Sequence, residues 1–190
     1  MPSHAFTGYL IPLLADARAL LAAHRALPVG TPRRVDSLAA LNRAVVVVCV
    51  SAWEAYIEEL LREAVEALRP TAPPMGTWPA LNATVRGAIG RFNTPNTDQV
   101  RILISDALGL QDVQNSWAWV NCAPAQSRTR LQQAMDYRHE IAHGVNPRPV
   151  VLNRYANQLP DFFLRLGRCT DNAVRAHLVT TLGVANPWPP

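Results

Sequence analysis

Residues 37–68 contain neither a glycine nor a proline, and this uninterrupted stretch constrains the fold more than any other. A segment of that length without a turn residue is too long for a strand and would span roughly 48 Å as a helix. Its run Val45-Val46-Val47-Val48-Cys49-Val50 would read as a buried strand if it stood alone. Good helix formers flank it, and Leu38, Leu41, Val45, Val48, Ala52, Ala55 and Tyr56 hold a helical period through it. Burial then outweighs the modest helical penalty of the β-branched residues. The reading is one helix, capped at Asp36 or Ser37 and running to about Arg69, buried nearly all round at the centre of a bundle. Further along, one face turns to solvent: Glu54, Glu58 and Arg62 are spaced i, i+4, and Glu59 with Glu63 extends the charge.

The other segments agree with this centre. Leu10, Leu13, Leu14, Ala17, Leu20 and Leu21 form the apolar stripe of a helix over 9–27, stopped by Pro28-Val29-Gly30-Thr31-Pro32. A proline-rich loop over 70–79 precedes a short helix from Ala80 to about Gly90. A turn ending at Asp98 starts another over Val100–Leu108, with Gly109 beyond it. Asp112–Val120 reads as an irregular turn. Helices are expected over Ser127–His143 and about Leu152–Leu182, the first stopped by Gly144, Pro147 and Pro149, the second kinked at Pro160. No segment alternates with period two and no repeat is evident. The expected fold is all-α: an up-and-down bundle of four to five main helices in one domain over 1–190. Its core covers about 37–182, with the N-terminal helix packed on it.

Composition narrows the class. With 49% hydrophobic and 17% charged residues the chain is of globular type. The longest apolar stretch, Ala44–Trp53, is half of what a membrane span requires, and Met1-Pro2-Ser3-His4 lacks the basic start of a signal peptide. Three scattered cysteines (49, 122 and 169) fit free thiols in a reducing compartment, so a cytoplasmic protein without membrane contact is expected. All 18 basic residues are arginine, and the net charge is +4. Five of six glutamates fall within 54–66, which leaves the rest of the surface basic and compatible with a nucleic-acid partner.

The chemistry concentrates in Met135-Asp136-Tyr137-Arg138-His139-Glu140-Ile141-Ala142-His143-Gly144, at an expected helix end. Two readings fit. His139-Glu140-x-x-His143 spells a zinc-hydrolase helix, with two histidines on one face binding metal and the glutamate activating water. A third ligand is missing from any known pattern: no glutamate follows Glu140, and only Asp161, Asp171 and His177 remain. The second reading pairs Arg138 with His143 for metal-free RNA cleavage. Histidine moves a proton to or from the 2′-hydroxyl or the leaving oxygen, and arginine neutralises charge on the pentavalent phosphate. The five-residue offset puts these side chains about 140° apart on a helix. They converge if the helix ends there, or if a second copy completes the site. The plainer alternatives are an ion pair of Arg138 with Asp136 or a glutamate of the long helix, and a His143 that merely caps. Trp53, Trp78, Trp117, Trp119 and Tyr56 could stack bases, but core packing is the default for such residues.

Arg138-His139-Glu140-Ile141-Ala142-His143-Gly144 resembles the Arg-polar-x-x-x-His motif of the HEPN superfamily. The acidic helix over Ala44–Leu61 is similar to the long helix near the start of these domains. Phe92-Asn93-Thr94-Pro95, Leu108-Gly109-Leu110 and Trp117-Ala118-Trp119 are similar to its RiboL-PSP branch. The ordered resemblance spans about Asn42 to Leu178. It implies a homodimer with the two motifs facing each other, and endoribonuclease activity on single-stranded RNA with no metal or other cofactor. Such proteins work in toxin–antitoxin, anti-phage or RNA-processing systems, so a cognate antitoxin protein is an implied partner. It assigns His143 as catalytic acid or base, Arg138 as the phosphate contact and His139 as a supporting polar residue. Glu54 or Glu58 would hold Arg138 by a salt bridge. Other members with an intact motif bind RNA or a partner protein without cleaving.

Overall fold

The computed structural model describes residues 1–27, 34–71, 74–144 and 149–188. The turn at Pro28–Pro32, part of the proline-rich loop and Pro147 lie outside them. Six α-helices follow one another: α1 (Ile11–Ala26), α2 (Arg34–Ala67), α3 (Trp78–Ile89), α4 (Thr97–Leu108), α5 (Pro124–Ala142) and α6 (Asn153–Thr180). A π-helical turn, Ala5–Leu10, leads into α1, and a 3₁₀ turn, Val113–Ser116, lies between α4 and α5. No strand occurs among the described residues, only an isolated bridge between Trp119 and Cys122. The fold is all-α, with four long helices and two short ones.

The long glycine-free segment is a single helix, and it touches every other helix. Val45, Val46, Cys49, Val50, Trp53, Tyr56 and Ile57 are fully buried along it. Val47 and Val48 are half-buried, so the valine run is not covered on all sides. Contacts fix the directions of the neighbours. Glu63, near the end of α2, accepts the N–H groups of His4 and Ala5 at 2.9 Å each, so α1 runs antiparallel to α2. Asn42 donates to the Val151 carbonyl, and the Tyr56 hydroxyl donates to the Gly167 carbonyl, so α6 runs parallel to α2. Tyr137 of α5 lies against Tyr155 of α6, and Arg130 against Phe162, so α5 descends antiparallel to α6. The bundle is up-and-down.

Boundaries shift where tertiary contacts supply the caps. The first helical stretch begins at Ala5 instead of residue 9, because the Ser3 hydroxyl accepts the Phe6 N–H and Glu63 accepts the next two donors upstream. α3 starts at Trp78, with Pro79 in its first turn, where the missing N–H costs nothing. The cap of α4 is Asn96, whose Oδ1 accepts the Gln99 N–H at 2.9 Å, and not Asp98. α5 begins at Pro124, and the Gln126 side chain accepts the Ala123 N–H at 2.8 Å. Pro160 lies inside α6, which continues through it.

The segment Ala5–Ala26 is the one helix among the described residues long and apolar enough to cross a membrane, with a mean hydropathy of 1.3 over its most apolar window. Asp16 and Arg18 interrupt its apolar run, so a search for unbroken apolar stretches passes over it. In the fold its stripe Leu10, Leu14, Ala17 and Leu21 packs on α2 and α6. Buried apolar side chains from Ala5 to Trp188 form one cluster.

Aromatic residues fill the middle of that cluster. The Trp53 indole lies 5.6 Å from Tyr56, 6.0 Å from Trp117 and 6.2 Å from Phe163, between ring centroids. Each polar tip is bonded: Trp53 Nε1 donates to the Pro95 carbonyl, and Trp117 Nε1 to the Thr170 hydroxyl. Trp78 reaches the Val65 carbonyl, and Trp119 is half-buried against Phe162. Trp53, Trp117 and Tyr56 have no exposed face, so none of the three can stack a base. The thiols of Cys49, Cys122 and Cys169 are free, and burial pushes that of Cys49 up to about 12, which keeps it protonated and unreactive.

Candidate functional site

The last two turns of α5 carry the Arg138–Gly144 stretch to the end of the bundle where α6 begins. α5 ends at Ala142, His143 occupies the C-cap, and Gly144 follows with a φ of +63°. That left-handed conformation favours glycine, which explains why the helix stops here. His143 has φ −87° and ψ 3°, and its N–H still donates to the His139 carbonyl at 3.0 Å. The backbone therefore departs from the helical path only after His143. Its ring remains on the helical register, 4.3 Å from the His139 ring between centroids. The angular separation of about 140° between Arg138 and His143 is accordingly retained, and the helix end does not bring the pair together.

His139 and His143 are exposed, and Arg138 is half-buried against α2. Burial raises the Glu54 carboxyl above the usual carboxylate range, and Glu58 adds to this, while the positive charge of Arg138 pulls it back down. Glu54 and Arg138 thus face each other electrostatically. The expected salt bridge is absent: no carboxylate lies within 4.0 Å of the Arg138 guanidinium among the described residues. Glu58 instead pairs with Arg62 at 2.8 Å, and Glu59 pairs with the same guanidinium at 3.1 Å. The reason is local, since Arg62 sits one turn away on the same helix and reaches both carboxylates without spanning a helix–helix gap. Asp136 is occupied as well, accepting from Gln132 at 2.8 Å. Among the described residues Arg138 makes no side-chain hydrogen bond or ion pair.

Glu140 lines a separate cleft of about 200 Å³ with Arg43, Ile141, Gly144 and Pro149. Neither histidine lines that cleft. Arg43 has no place in the sequence motifs, yet a signal for it existed. It precedes Glu54 by eleven residues, three helical turns, so the two share one face of α2 to within about 20°.

For metal, the His139–His143 pair offers two nitrogens on adjacent turns. No third His, Cys, Asp or Glu joins them among the described residues. The three distant candidates are engaged elsewhere. Asp161 pairs with Arg18 at 2.9 Å, buried Asp171 accepts from the Ser3 backbone and hydroxyl, and His177 Nε2 bonds the Leu108 carbonyl at 2.8 Å. A catalytic zinc needs three protein ligands and an open position, and the residues within reach do not fit it.

No family model, curated protein or solved structure matches this chain.

The arrangement is therefore a helix end with a guanidinium unpaired among the described residues, an exposed imidazole beside it at His139, a second one turn on at His143, and a carboxylate behind. It can bind phosphate through Arg138 and move a proton through His143. On one chain the two side chains leave the helix about 140° apart around its axis.

Proposed function

We propose that this chain is a metal-independent endoribonuclease of HEPN type, acting in the cytoplasm on single-stranded RNA at a site composed by two copies. The carrying observation is the helical register of His143: its ring lies over His139, so the Arg138 of one chain needs the His143 of another to share a phosphate. In this reading Arg138 holds the scissile phosphate and stabilises the charge that builds on it. His143 exchanges the proton of the 2′-hydroxyl or the leaving oxygen. His139 supports it by contact, and Glu54 orients Arg138 electrostatically. The unengaged state of Arg138 supports this role, because a guanidinium already holding a carboxylate would have to give it up before binding phosphate. The biological setting that fits is a toxin or anti-phage component restrained by a cognate antitoxin protein.

Incubating the protein with RNA in EDTA is the direct test. Cleavage leaving 2′,3′-cyclic phosphate ends, with a dimer by sedimentation, is the expected outcome. A strictly monomeric protein, or activity that appears only with added zinc, overturns the reading. The second reading is a dimer that binds RNA or a partner protein without turnover. It is favoured by the absence of any hydrogen bond from the described residues that would fix the His143 ring. Binding without cleavage would establish it.

A further inference from the structure

α6 carries four arginines on one solvent-facing stripe. Taken at 100° per residue, Arg154, Arg165, Arg168 and Arg175 fall within about 80° of one another around the helix axis. The stripe lies opposite the buried side formed by Phe163, Leu166, Thr170 and Val174. All four arginines are exposed, and none is paired with a carboxylate among the described residues. The single acid on the same stripe, Asp161, is matched by Arg18 of α1 at 2.9 Å, so the row carries no surplus negative charge. Arg130 of α5, donating to Gln158 at 2.9 Å, flanks it on the other side.

This placement is costly for stability alone. Like charges at helical spacing repel by a few tenths of a kcal/mol per pair, and the stripe offers only Asp161 and, under the Arg168 guanidinium, the Phe6 ring at 5.6 Å to offset it. The acidic counterpart is elsewhere, on α2, where Arg62 pairs with both Glu58 and Glu59. Arginine with a free planar fork is the side chain that best holds phosphate oxygens in pairs. Arg154 to Arg175 cover roughly 32 Å along the axis. A row of that length suits an extended polyanion and not a compact anion. It begins at Arg154, beside the Tyr155 that lies 5.2 Å from Tyr137, the residue preceding Arg138. The row therefore starts at the motif end of the bundle and leads away from it.

We infer that the arginine stripe of α6 is a track for the phosphodiester backbone of a single-stranded polynucleotide. Its guanidiniums hold the strand by its phosphates, without reading bases, and lead it toward the end of the bundle that carries Arg138 and His143. The choice of RNA as the strand rests on the ribonuclease reading; the track itself does not.

The test uses the full chain carrying His143→Ala, so that bound RNA stays intact. Fluorescence anisotropy with a labelled single-stranded RNA of about 12 nucleotides gives affinity across a salt series. Replacing Arg165, Arg168 and Arg175 together by glutamine should weaken binding at least about tenfold and lower the log–log salt slope by about 2, at about 0.7 per lost phosphate contact on a single strand. Arg69→Gln with Arg101→Gln, on other faces, should leave both quantities unchanged. Circular dichroism and the melting midpoint verify that the triple variant is folded. Matched DNA binding as well as RNA supports a backbone track. An unchanged affinity and slope in the folded triple variant overturns the inference, as does binding to phosphatidylserine vesicles but to no oligonucleotide. If the stripe governs binding while the unmutated chain cleaves nothing, the track stands and the nuclease reading falls. If cleavage proceeds and the stripe is irrelevant, the reverse holds.

Discussion

The aromatic centre around Trp53 and the helix end at Arg138–Gly144 are built on opposite terms. At the centre every large ring is buried, and its polar tip is bonded to a fixed partner on another element. At the helix end the charged side chains are exposed or half-exposed, and Arg138 has no carboxylate partner among the described residues. A satisfied polar group specifies one packing arrangement, whereas an unsatisfied one at the surface remains available to a ligand. The difference teaches where stability and activity reside, and it predicts that substitutions at the two places separate cleanly.

The largest effect is expected at the helix end and in activity alone. His143→Ala should lower RNA cleavage by about 10² to 10⁴-fold, the range for losing a general acid or base, while the urea midpoint stays where it was. A fall in the midpoint alongside activity would show that His143 is structural and erase the contrast. At the centre the pattern should invert. Trp53→Ala removes a fully buried indole and its bond to the Pro95 carbonyl, so chemical denaturation should show a loss of about 3–5 kcal/mol. Any loss of cleavage should then follow the unfolded fraction.

The smallest prediction concerns the one acid placed on the wrong side of this division. Asp171 is buried between α1 and α6, and burial raises its carboxyl above the ordinary range while the Ser3 donors pull it down. A folded pKa above the unfolded value of about 3.9 means that the folded state holds the proton more tightly between the two values. Stability should therefore rise as the pH falls through that interval and level off below the unfolded value. Asp171→Asn keeps an acceptor for Ser3 and removes the proton, so its unfolding free energy should lose this slope. An identical pH dependence in both proteins would assign the slope to other groups, Glu54 first, because it is raised by the same cause.

Much of this contrast is written in the chain. The glycine-free stretch over 37–68 reads directly as the central helix, because only a buried helix reconciles a valine run with an unbroken helical period. Gly144 marks the end of α5, since a left-handed position at a helix terminus selects glycine by sterics alone. The helix starts were less legible. Ser3 and Glu63 together set the first helical turn, yet they stand 60 positions apart in the sequence, and no local pattern couples the two. Gly167 looks like a weak point in a helix, but a side chain there would collide with Leu10, so its purpose is the close approach of the π-helical turn before α1 to α6. The i, i+4 spacing of Glu58 and Arg62 already indicates their pair, and it prevails over the Arg138 partner implied by the resemblance because a helical neighbour one turn away outcompetes a guanidinium on another helix.

The sequence by itself determined the helices, the order in which they follow one another, and the collection of Arg138, His139 and His143 at one terminus. These depend on periodicity, on turn residues and on backbone sterics, which act over a few residues. Tertiary structure decided which charges pair and which stay open. It left Arg138 facing Glu54 without an ion pair, turned Glu63 into a cap, and set the four α6 arginines in a row with no carboxylate paired to them among the described residues. Those outcomes depend on distances of a few ångströms between helices far apart in the chain, and only packing fixes such distances.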